Sequence, residues 1–246
     1  MLAGAEPFSY PGSGEVGVLL CHGFTGSPQS MRPWGEYLAE RGYAVRCPLL
    51  PGHGTTWAEC NRTGWADWYG AVRAELLSLR EDCSSVFVFG QSMGGALALR
   101  LAEEFGEQVS GLVLVNPSIT SLRWDVKLLP VLSLVLRSAP GLAGDIAKPG
   151  VTEVAYDRVP VRAMANLARS WRLVRTDLPK ITQPLLVLRS VDDHIVEPVN
   201  SRIILDSVGS EKTTEVVLEN SFHVATLDND APLIFERSVE FMREEA

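Results

Sequence analysis

The fold of this chain is decided by residues 86–95, which read Val86-Phe87-Val88-Phe89-Gly90-Gln91-Ser92-Met93-Gly94-Gly95. The first four residues are bulky and apolar, which is typical of a strand that is buried on both faces. The small and apolar residues that follow begin a segment of helical period. We therefore expect Ser92 on a tight strand-to-helix turn, where flanking glycines are needed because side chains would clash with neighbouring backbone. Such a turn exposes the serine hydroxyl and directs the positive end of the helix dipole towards it.

Segments of the same two kinds lie on both sides of this turn. Short apolar runs alternate with segments of helical period, which is the pattern of a mostly parallel sheet covered by helices on both faces. The predicted strands are residues 16–21, 43–47, 86–89, 111–115, 185–188 and 214–218. The predicted helices are residues 31–41, 65–80, 94–105, 199–207 and 233–242. The fold class is therefore α/β.

The alternation stops between Asn116 and about Thr182. No strand is predicted in this stretch, and its composition shifts to leucine, valine, arginine and alanine, punctuated by prolines. No glycine- and serine-rich linker separates two cores. We therefore predict one domain over residues 1–246, with a small, mostly helical cap inserted at about residues 117–182.

Charge and composition exclude several classes of protein. The 246 residues are 46% hydrophobic and 21% charged, which is ordinary for a globular protein and excludes disordered and collagenous chains. Lysine and arginine number 22 against 30 acidic residues, so the net charge is −8. A charge of this sign argues against nucleic acid or an anionic membrane as a partner.

Cysteine spacing and the first residues bear on the compartment. Cys21, Cys47, Cys60 and Cys83 show no metal-ligand spacing, so buried free thiols are expected. The sequence begins without the basic and apolar regions of a signal peptide, and no apolar run approaches the roughly 20 residues that span a bilayer. We expect a cytoplasmic protein.

A serine becomes a useful nucleophile only when a base accepts its proton, and four histidines are candidates for that base. His22, His53 and His194 follow predicted strands, and so does His223. Loops that follow parallel strands open on one edge of the sheet, so His223 is well placed to meet Ser92. For a lone histidine, however, a structural or solvated role is the more common one.

A carboxylate that fixes the tautomer of the base would complete the site. Asp192 and Asp193 both follow the strand at residues 185–188, so the residues alone leave two candidates. The order of serine, aspartate and histidine along the chain is the order found in α/β-hydrolases.

Four segments resemble the α/β-hydrolase superfamily, and more closely its bacterial monoacylglycerol lipases and small carboxylesterases. Residues 22–26 resemble the oxyanion-hole loop, 90–95 the nucleophile elbow, 193–196 the acid segment and 220–228 the histidine loop. The resemblance implies that Ser92 is the nucleophile, His223 the base and Asp193 the acid, with Asp192 kept as the alternative. It also implies that His53 is structural.

The resemblance extends to the binding groups. Acyl transfer builds negative charge on a carbonyl oxygen, which two backbone N–H groups stabilise. The residue after the nucleophile, Met93, supplies one such group, and by resemblance Phe24 supplies the other. Glu153 resembles a glutamate of the cap that helps to recognise glycerol in the bacterial lipases; a solvated glutamate is the alternative.

The resemblance implies a serine carboxylic-ester hydrolase that cleaves monoacylglycerol to glycerol and fatty acid through an acyl-enzyme. It needs no metal and no organic cofactor, and its partner is a small acyl ester. A general short-chain carboxylesterase is the alternative within this chemistry. A non-catalytic ligand-binding protein of the same fold is the alternative from another class.

The run from Leu128 to Leu136 is more apolar than a surface helix requires. One interpretation is a cap whose inner face receives an acyl chain and whose outer face makes transient contact with a lipid surface, without stable insertion. The other is that these residues pack the cap onto the sheet.

Overall fold

The computed structural model describes residues 1–12, 14–141 and 144–245. Within these residues, seven strands form one mixed sheet. They are β1 (Phe8–Tyr10), β2 (Val16–Cys21), β3 (Ala44–Cys47), β4 (Ser85–Gln91), β5 (Gly111–Val115), β8 (Leu185–Ser190) and β9 (Thr213–Leu218). Their order in space is β1-β3-β2-β4-β5-β8-β9. Only β1 runs antiparallel to its neighbour, and the other pairs in this sheet are parallel.

All six predicted strands are present, and the α/β class with a mostly parallel sheet is confirmed. Strand β1 was not predicted, because its three residues are too few to show an alternating pattern. Phe8 pairs with Cys47 and packs in the core, so this short segment extends the sheet at its edge.

Nine α-helices are described, and they cover the sheet on both faces. They are α1 (Arg32–Ala39), α2 (Trp57–Cys60), α3 (Trp65–Asp82), α4 (Met93–Phe105), α5 (Trp124–Lys127), α6 (Leu129–Val135), α7 (Val161–Asp177), α8 (Val199–Ser207) and α9 (Ala231–Glu245). Helices α3, α4 and α7 pack on one face of the sheet, and α1 and α9 pack on the other.

The continuous apolar run of β4 follows from this double cover. Side chains alternate between the faces of a strand, so Val86 and Val88 enter the core under α3 and α4. Phe87 and Phe89 point the other way and pack with Trp34 of α1. Residues 86–91 of β4 are all buried, so this part of the strand has no solvent-exposed face.

The segment between β5 and β8 contains more than helices. It carries α5, α6 and α7, but also β6 (Ser138–Pro140) and β7 (Arg158–Pro160), which pair antiparallel as a separate two-stranded sheet. The prediction of a segment without strands was therefore wrong. The two prolines that suggested chain breaks lie at the ends of these short strands, where a missing N–H is tolerated.

Helix α7 joins this segment to the main core. Its residues Ala163, Leu167 and Val174 are buried in the same cluster as α3 and α4. On its other side, Val161 and Ala165 pack against Leu129 of α6. Through α7, the segment between β5 and β8 is packed on the main core, and α6 packs on the other side of this helix.

The four cysteines are free and buried, as predicted. None of the helices in the described parts of the chain combines the length and the apolar character needed to cross a membrane.

Candidate active site

Ser92 lies between β4 and α4 in a backbone conformation that L-residues rarely adopt, with φ 55° and ψ −119°. The two flanking glycines make this turn possible. A Cβ on Gly90 would overlap the backbone of Gly94, and a Cβ on Gly94 would overlap the carbonyl oxygen of Cys21. The strain is held by hydrogen bonds, since Ser92 N–H donates to the Val115 carbonyl at 3.0 Å. The predicted strand-to-helix turn is therefore present, and its hydroxyl lies at the N-terminus of α4.

His223 and Asp193 are in direct contact. His223 Nδ1 lies 2.8 Å from Asp193 Oδ2, and both side chains are nearly buried. Asp193 is fixed in turn, because its Oδ1 accepts hydrogen bonds from the backbone N–H groups of Ile195 and Val196, each at 2.8 Å. Asp192 is exposed to solvent. The geometry thus separates the two aspartates that the sequence left open, and it pairs Asp193 with the histidine.

A residue that sequence reasoning missed holds the two loops together. The side chain of Asn116, just after β5, accepts a hydrogen bond from Ser190 N–H at 2.8 Å and donates to the His223 carbonyl at 2.9 Å. Asn116 has a positive φ of 45°, which asparagine tolerates better than most residues. An asparagine next to a proline gave no local sign of this role, because its partners lie 74 and 107 residues away.

Burial and charge act in opposite directions on His223. Burial lowers its pKa, since it disfavours the imidazolium. The negative charge of Asp193, the hydrogen bond to it, and the charges of Glu153 and Asp145 together outweigh burial and raise the pKa above the ordinary value. The site therefore stabilises a positive charge on this ring, as a base needs when it accepts a proton.

His22 and His53 are enclosed in the core. His22 Nδ1 lies 2.9 Å from the Gly23 carbonyl, and its Nε2 accepts the N–H of Leu50, so it acts as a neutral brace between two loops. Burial lowers the pKa of His22 to about 4 and that of His53 to about 3. Neither ring lines the cavity at Ser92. His53 is structural, as the resemblance implied.

The loop after β2 passes directly against the serine turn. A Cβ on Gly23 would lie 3.5 Å from Ser92 Cβ, which is van der Waals contact, so the two segments lie side by side. The next residue, Phe24, packs its ring edge-on against His53, with 6.0 Å between the ring centroids. Met93 begins α4, where the N–H groups of the first turn have no partner within the helix. The backbone N–H groups of Phe24 and Met93 thus belong to the two segments that meet at Ser92.

A cavity of about 330 Å³ opens over Ser92 and His223. Its polar end carries these two residues together with Asp145 and Glu153. The rest of the lining is largely apolar and comes mostly from the segment between β5 and β8, which also contributes the charged side chains of Arg123 and Asp125. Among its lining side chains are Val126, Leu129, Leu132, Leu136, Met164 and Trp171. A volume of this size, with an apolar wall and a few polar groups at one end, is typical of a site for a small amphiphilic molecule.

Glu153 lies at the polar end of the cavity and close to His223. Burial raises the pKa of its carboxyl, while the nearby His223 and a backbone hydrogen bond from Gly144 act against that rise. The Glu153 carboxylate also explains why position 26 is a glycine, because a Cβ on Gly26 would lie only 2.7 Å from Glu153 Oε1. Glu153 is therefore a cavity residue and is not a solvated surface glutamate.

Within the described ranges, no group of three or more histidine, cysteine, aspartate or glutamate side chains is arranged to hold a metal ion. The polar groups at Ser92 include His223, which lines the same cavity, and Asp193, which is bonded to His223.

Known proteins resemble this chain over nearly its full length. A thermostable monoacylglycerol lipase from Bacillus sp. (strain H-257) is 41% identical over 251 residues, which cover 100% of this chain and 97% of that protein. A carboxylesterase from Bacillus subtilis (strain 168) is 29% identical over 240 residues, which cover 96% of each.

Solved structures agree with this relationship. One belongs to the metagenome-derived lipolytic enzymes LipS and LipT; it has a TM-score of 0.96 and 41% identity, and the match covers 99% of both chains. A monoacylglycerol lipase from Paleococcus ferrophilus has a TM-score of 0.80 at 18% identity, with 98% of both chains covered, and shares the fold.

A family model described as serine aminopeptidase, S33 (Hydrolase_4), matches residues 15–230. This match spans the segments that build the site at Ser92, and the similarity to the Bacillus lipase covers the whole chain. The chain belongs to the Hydrolase_4 serine hydrolase family of the α/β-hydrolase superfamily.

Proposed function

We propose that this protein is a serine carboxylic-ester hydrolase that cleaves monoacylglycerol to glycerol and a fatty acid. One observation carries the chemistry: His223, which is bonded to Asp193, lines the same cavity as Ser92, and Ser92 is held on a strained turn. The names of the full-length relatives, a monoacylglycerol lipase and a carboxylesterase, support ester hydrolysis over the non-catalytic ligand-binding alternative.

In the first step, Ser92 Oγ attacks the ester carbonyl carbon while His223 Nε2 accepts the serine proton. The positive charge that forms on the ring is stabilised by Asp193, which bonds the opposite nitrogen, Nδ1, at 2.8 Å. This bond also fixes the tautomer, because an Nδ1–H that donates to Asp193 leaves Nε2 free to accept. The raised pKa of His223 agrees with this role.

The carbonyl oxygen becomes an oxyanion in the same step. We assign its stabilisation to the backbone N–H groups of Phe24 and Met93, which flank Ser92 from the β2 loop and from the start of α4. In a comparable hydrolase, loss of one such donor costs roughly 3 to 4 kcal/mol of barrier. Rigid backbone donors are effective because they need no reorientation when the charge appears.

Collapse of the tetrahedral intermediate breaks the ester C–O bond. His223 gives its proton to the departing glycerol oxygen, and the acyl group stays on Ser92 as an ester. Water then enters, His223 takes one of its protons, and the hydroxide attacks the acyl carbon. The fatty acid leaves as the proton returns to Ser92 Oγ, so the enzyme is restored without any cofactor.

Glu153 is proposed to bind the glycerol head. Its carboxylate lies at the polar end of the cavity beside His223, where a free hydroxyl of the substrate can donate to it. An ionised carboxylate has no proton to donate and acts only as a hydrogen-bond acceptor, which suits a ligand rich in hydroxyl donors. The same charge lies near the ring that becomes positive in the reaction.

The apolar end of the cavity is proposed to hold the acyl chain, and it favours a medium or long chain over the short-chain carboxylesterase alternative. Glyceryl monoesters of 4 to about 16 carbons, compared by kcat/KM, test this choice. We expect a rise with chain length, since each buried CH₂ contributes about 0.8 kcal/mol. Hydrolysis of monolauroylglycerol no faster than that of a short p-nitrophenyl ester would contradict the lipase preference.

We further propose that the chain is one domain with residues 117–182 as its cap, and that the cap makes transient contact with lipid surfaces. Its surface exposes several large apolar side chains: Leu122, Trp124, Leu128, Val131, Leu134 and Val135. Such a patch is unusual on a monomer. The packing interpretation of the run from Leu128 to Leu136 holds only for the residues that face inwards, such as Leu129 and Leu132.

Neutral phosphatidylcholine vesicles test the surface contact, because the net charge of −8 leaves apolar attraction as the driving force. We expect Leu134→Glu to weaken co-sedimentation with these vesicles, while Leu77→Glu, on exposed α3, serves as the matched control. Equal sedimentation of both variants and the wild type would contradict the proposal. A cytoplasmic location and the lack of a nucleic-acid partner stay predictions from charge and sequence.

A further inference from the structure

Asp145, on the inserted segment, contacts both loops that carry the acid–base pair. Its Oδ1 lies 2.8 Å from His194 Nδ1, and its Oδ2 accepts the backbone N–H groups of His194 at 3.3 Å and of His223 at 3.1 Å. Its backbone carbonyl accepts the N–H of Val224 at 3.0 Å. One aspartate thus makes four polar contacts with two loops that are far apart in sequence.

The position of these contacts matters more than their number. His194 follows Asp193 directly, and the other bonded N–H belongs to His223 itself. The carboxylate of Asp145 therefore bridges the loop that carries the acid and the residue that serves as the base. The bond between Asp193 and His223 requires a fixed spacing of these two loops, and Asp145 spans that spacing on the side facing the insert.

A second carboxylate holds the same part of the insert from the other direction. Asp228 Oδ2 accepts the N–H groups of Ala147 at 2.7 Å and Phe222 at 2.9 Å, and its Oδ1 accepts that of Lys148 at 2.8 Å. Residues 145–148 are therefore bound to the histidine loop at two points. Because Asp228 also binds Ala147 and Lys148, we expect residues 145–148 to stay attached to the histidine loop when Asp145 is replaced.

Asp145 also lines the cavity, which raises the question of a direct role in substrate binding. Its two oxygens already accept from three donor groups, and its side chain is only 14% exposed. A carboxylate has about four acceptor sites, so little capacity is left for a ligand. Glu153 is the better acceptor for a substrate hydroxyl, and the role of Asp145 is directed at the protein.

We propose that Asp145 is a positioning residue for ester hydrolysis, which holds the ring of His223 against Asp193 and makes assembly of this pair depend on the inserted segment. The inference rests on the function proposed above. It gives the insert a part in the chemistry in addition to its part in enclosing the acyl chain.

Three observables follow for Asp145→Ala, which removes all three side-chain contacts; an asparagine oxygen could still accept the two backbone N–H groups. A misplaced base lowers kcat, by roughly tenfold to a hundredfold for displacements below or near 1 Å, while KM stays within about twofold. The acid limb of the kcat profile moves to lower pH, because Asp193, Glu153 and Asp145 are the negative groups that raise the pKa of His223. His194, which faces Asp145 and is influenced also by Asp192, loses its ion-pair partner, so its own raised pKa falls.

The test uses the full chain with p-nitrophenyl butyrate and a fluorophosphonate probe, over pH 4 to about 9. Asp192→Ala is the matched control, since it removes the same side chain and charge from an exposed position one residue from the acid. The histidine C2–H signals report both pKa values, and thermal unfolding confirms that each variant is folded. His194→Gln removes one contact of Asp145 from the opposite side and is expected to lower kcat less.

The outcomes distinguish the positioning role of Asp145 from the proposed ester hydrolysis itself. A lower kcat and a shifted acid limb in Asp145→Ala, with neither in Asp192→Ala, support the positioning role. Wild-type values of kcat and an unchanged pH profile in Asp145→Ala overturn it, and so does an Asp145→Ala variant in which only KM is raised. Wild-type protein that neither hydrolyses the ester nor reacts with the probe overturns the proposed function, and the inference with it.

Discussion

Replacing Asp193 by asparagine reverses the role of one atom at the centre of the site. Asp193 Oδ1 is bound by the N–H groups of Ile195 and Val196, so the asparagine oxygen must take that place. The amide NH₂ is then forced towards His223 Nδ1, which lies 2.8 Å from the other oxygen in the wild type. If the amide were flipped, its NH₂ group would face the N–H groups of Ile195 and Val196, which are also donors, so no hydrogen bond could form there.

The consequence is the wrong tautomer. An NH₂ group can only donate to Nδ1, so the proton of a neutral His223 moves to Nε2, which can no longer accept the proton of Ser92. The loss of kcat expected for such a change in a serine hydrolase is about 10⁴-fold, or about 5.4 kcal/mol of barrier. Because the shape of the side chain is kept, the free energy of unfolding and KM should change little.

The assay measures steady-state hydrolysis of monolauroylglycerol at pH 8 from the rate of glycerol release, and Asp192→Asn is the control variant. Asp192 is exposed, so that variant should keep kcat within about twofold of the wild type, as surface substitutions usually do. A folded Asp193→Asn enzyme that keeps more than a tenth of the wild-type kcat would refute the tautomer reasoning. Equal losses of kcat in Asp193→Asn and Asp192→Asn would show that kcat depends on the negative charge of this loop and not on the bond between Asp193 and His223.

Three further predictions follow from the same geometry. Since the pKa of His223 is raised, activity should fall with decreasing pH through a value above about 6.5, and a limb well below that value would exclude this ring as the base. Glu153→Gln should raise KM for monoacylglycerol about tenfold and leave KM for a p-nitrophenyl ester nearly unchanged. The same substitution should move the acid limb of the pH profile to lower pH. Equal effects on the KM values of both esters would contradict a role of Glu153 in glycerol binding. Gly94→Ala should lower the free energy of unfolding, measured by chemical denaturation, by at least about 3 kcal/mol. Gly70 has open space around it, so Gly70→Ala should raise the free energy of unfolding by roughly 0.5 to 1 kcal/mol. Similar free energies of unfolding for the two variants would contradict the close packing of the turn.

Local patterns predicted the sheet and the serine turn, because both depend on neighbours in sequence. A strand buried on both faces must be apolar throughout, and the turn needs glycines within two residues of Ser92. The short strands β6 and β7 were missed because three residues carry too little pattern and because prolines at their ends suggested breaks.

The partners of the base could be predicted only in part. The resemblance indicated Asp193, whereas the residues alone left Asp192 open, because adjacent loop residues differ only in the direction of their side chains. Asn116 and Asp145 gave no local signal at all, since their contacts with His223 span 107 and 78 residues. Such contacts depend on how the insert folds back over the sheet, which no short motif encodes.

The central claim is that Ser92 is the nucleophile of a serine hydrolase, and covalent labelling tests it most directly. The full chain is treated with a fluorophosphonate probe, and the adduct is located by peptide mass spectrometry in the wild type and in Ser92→Ala. We predict a single adduct on Ser92 in the wild type, formed faster as the pH rises through the pKa of His223, and no adduct in the variant. A Ser92→Ala chain that is labelled as fast as the wild type would contradict the account.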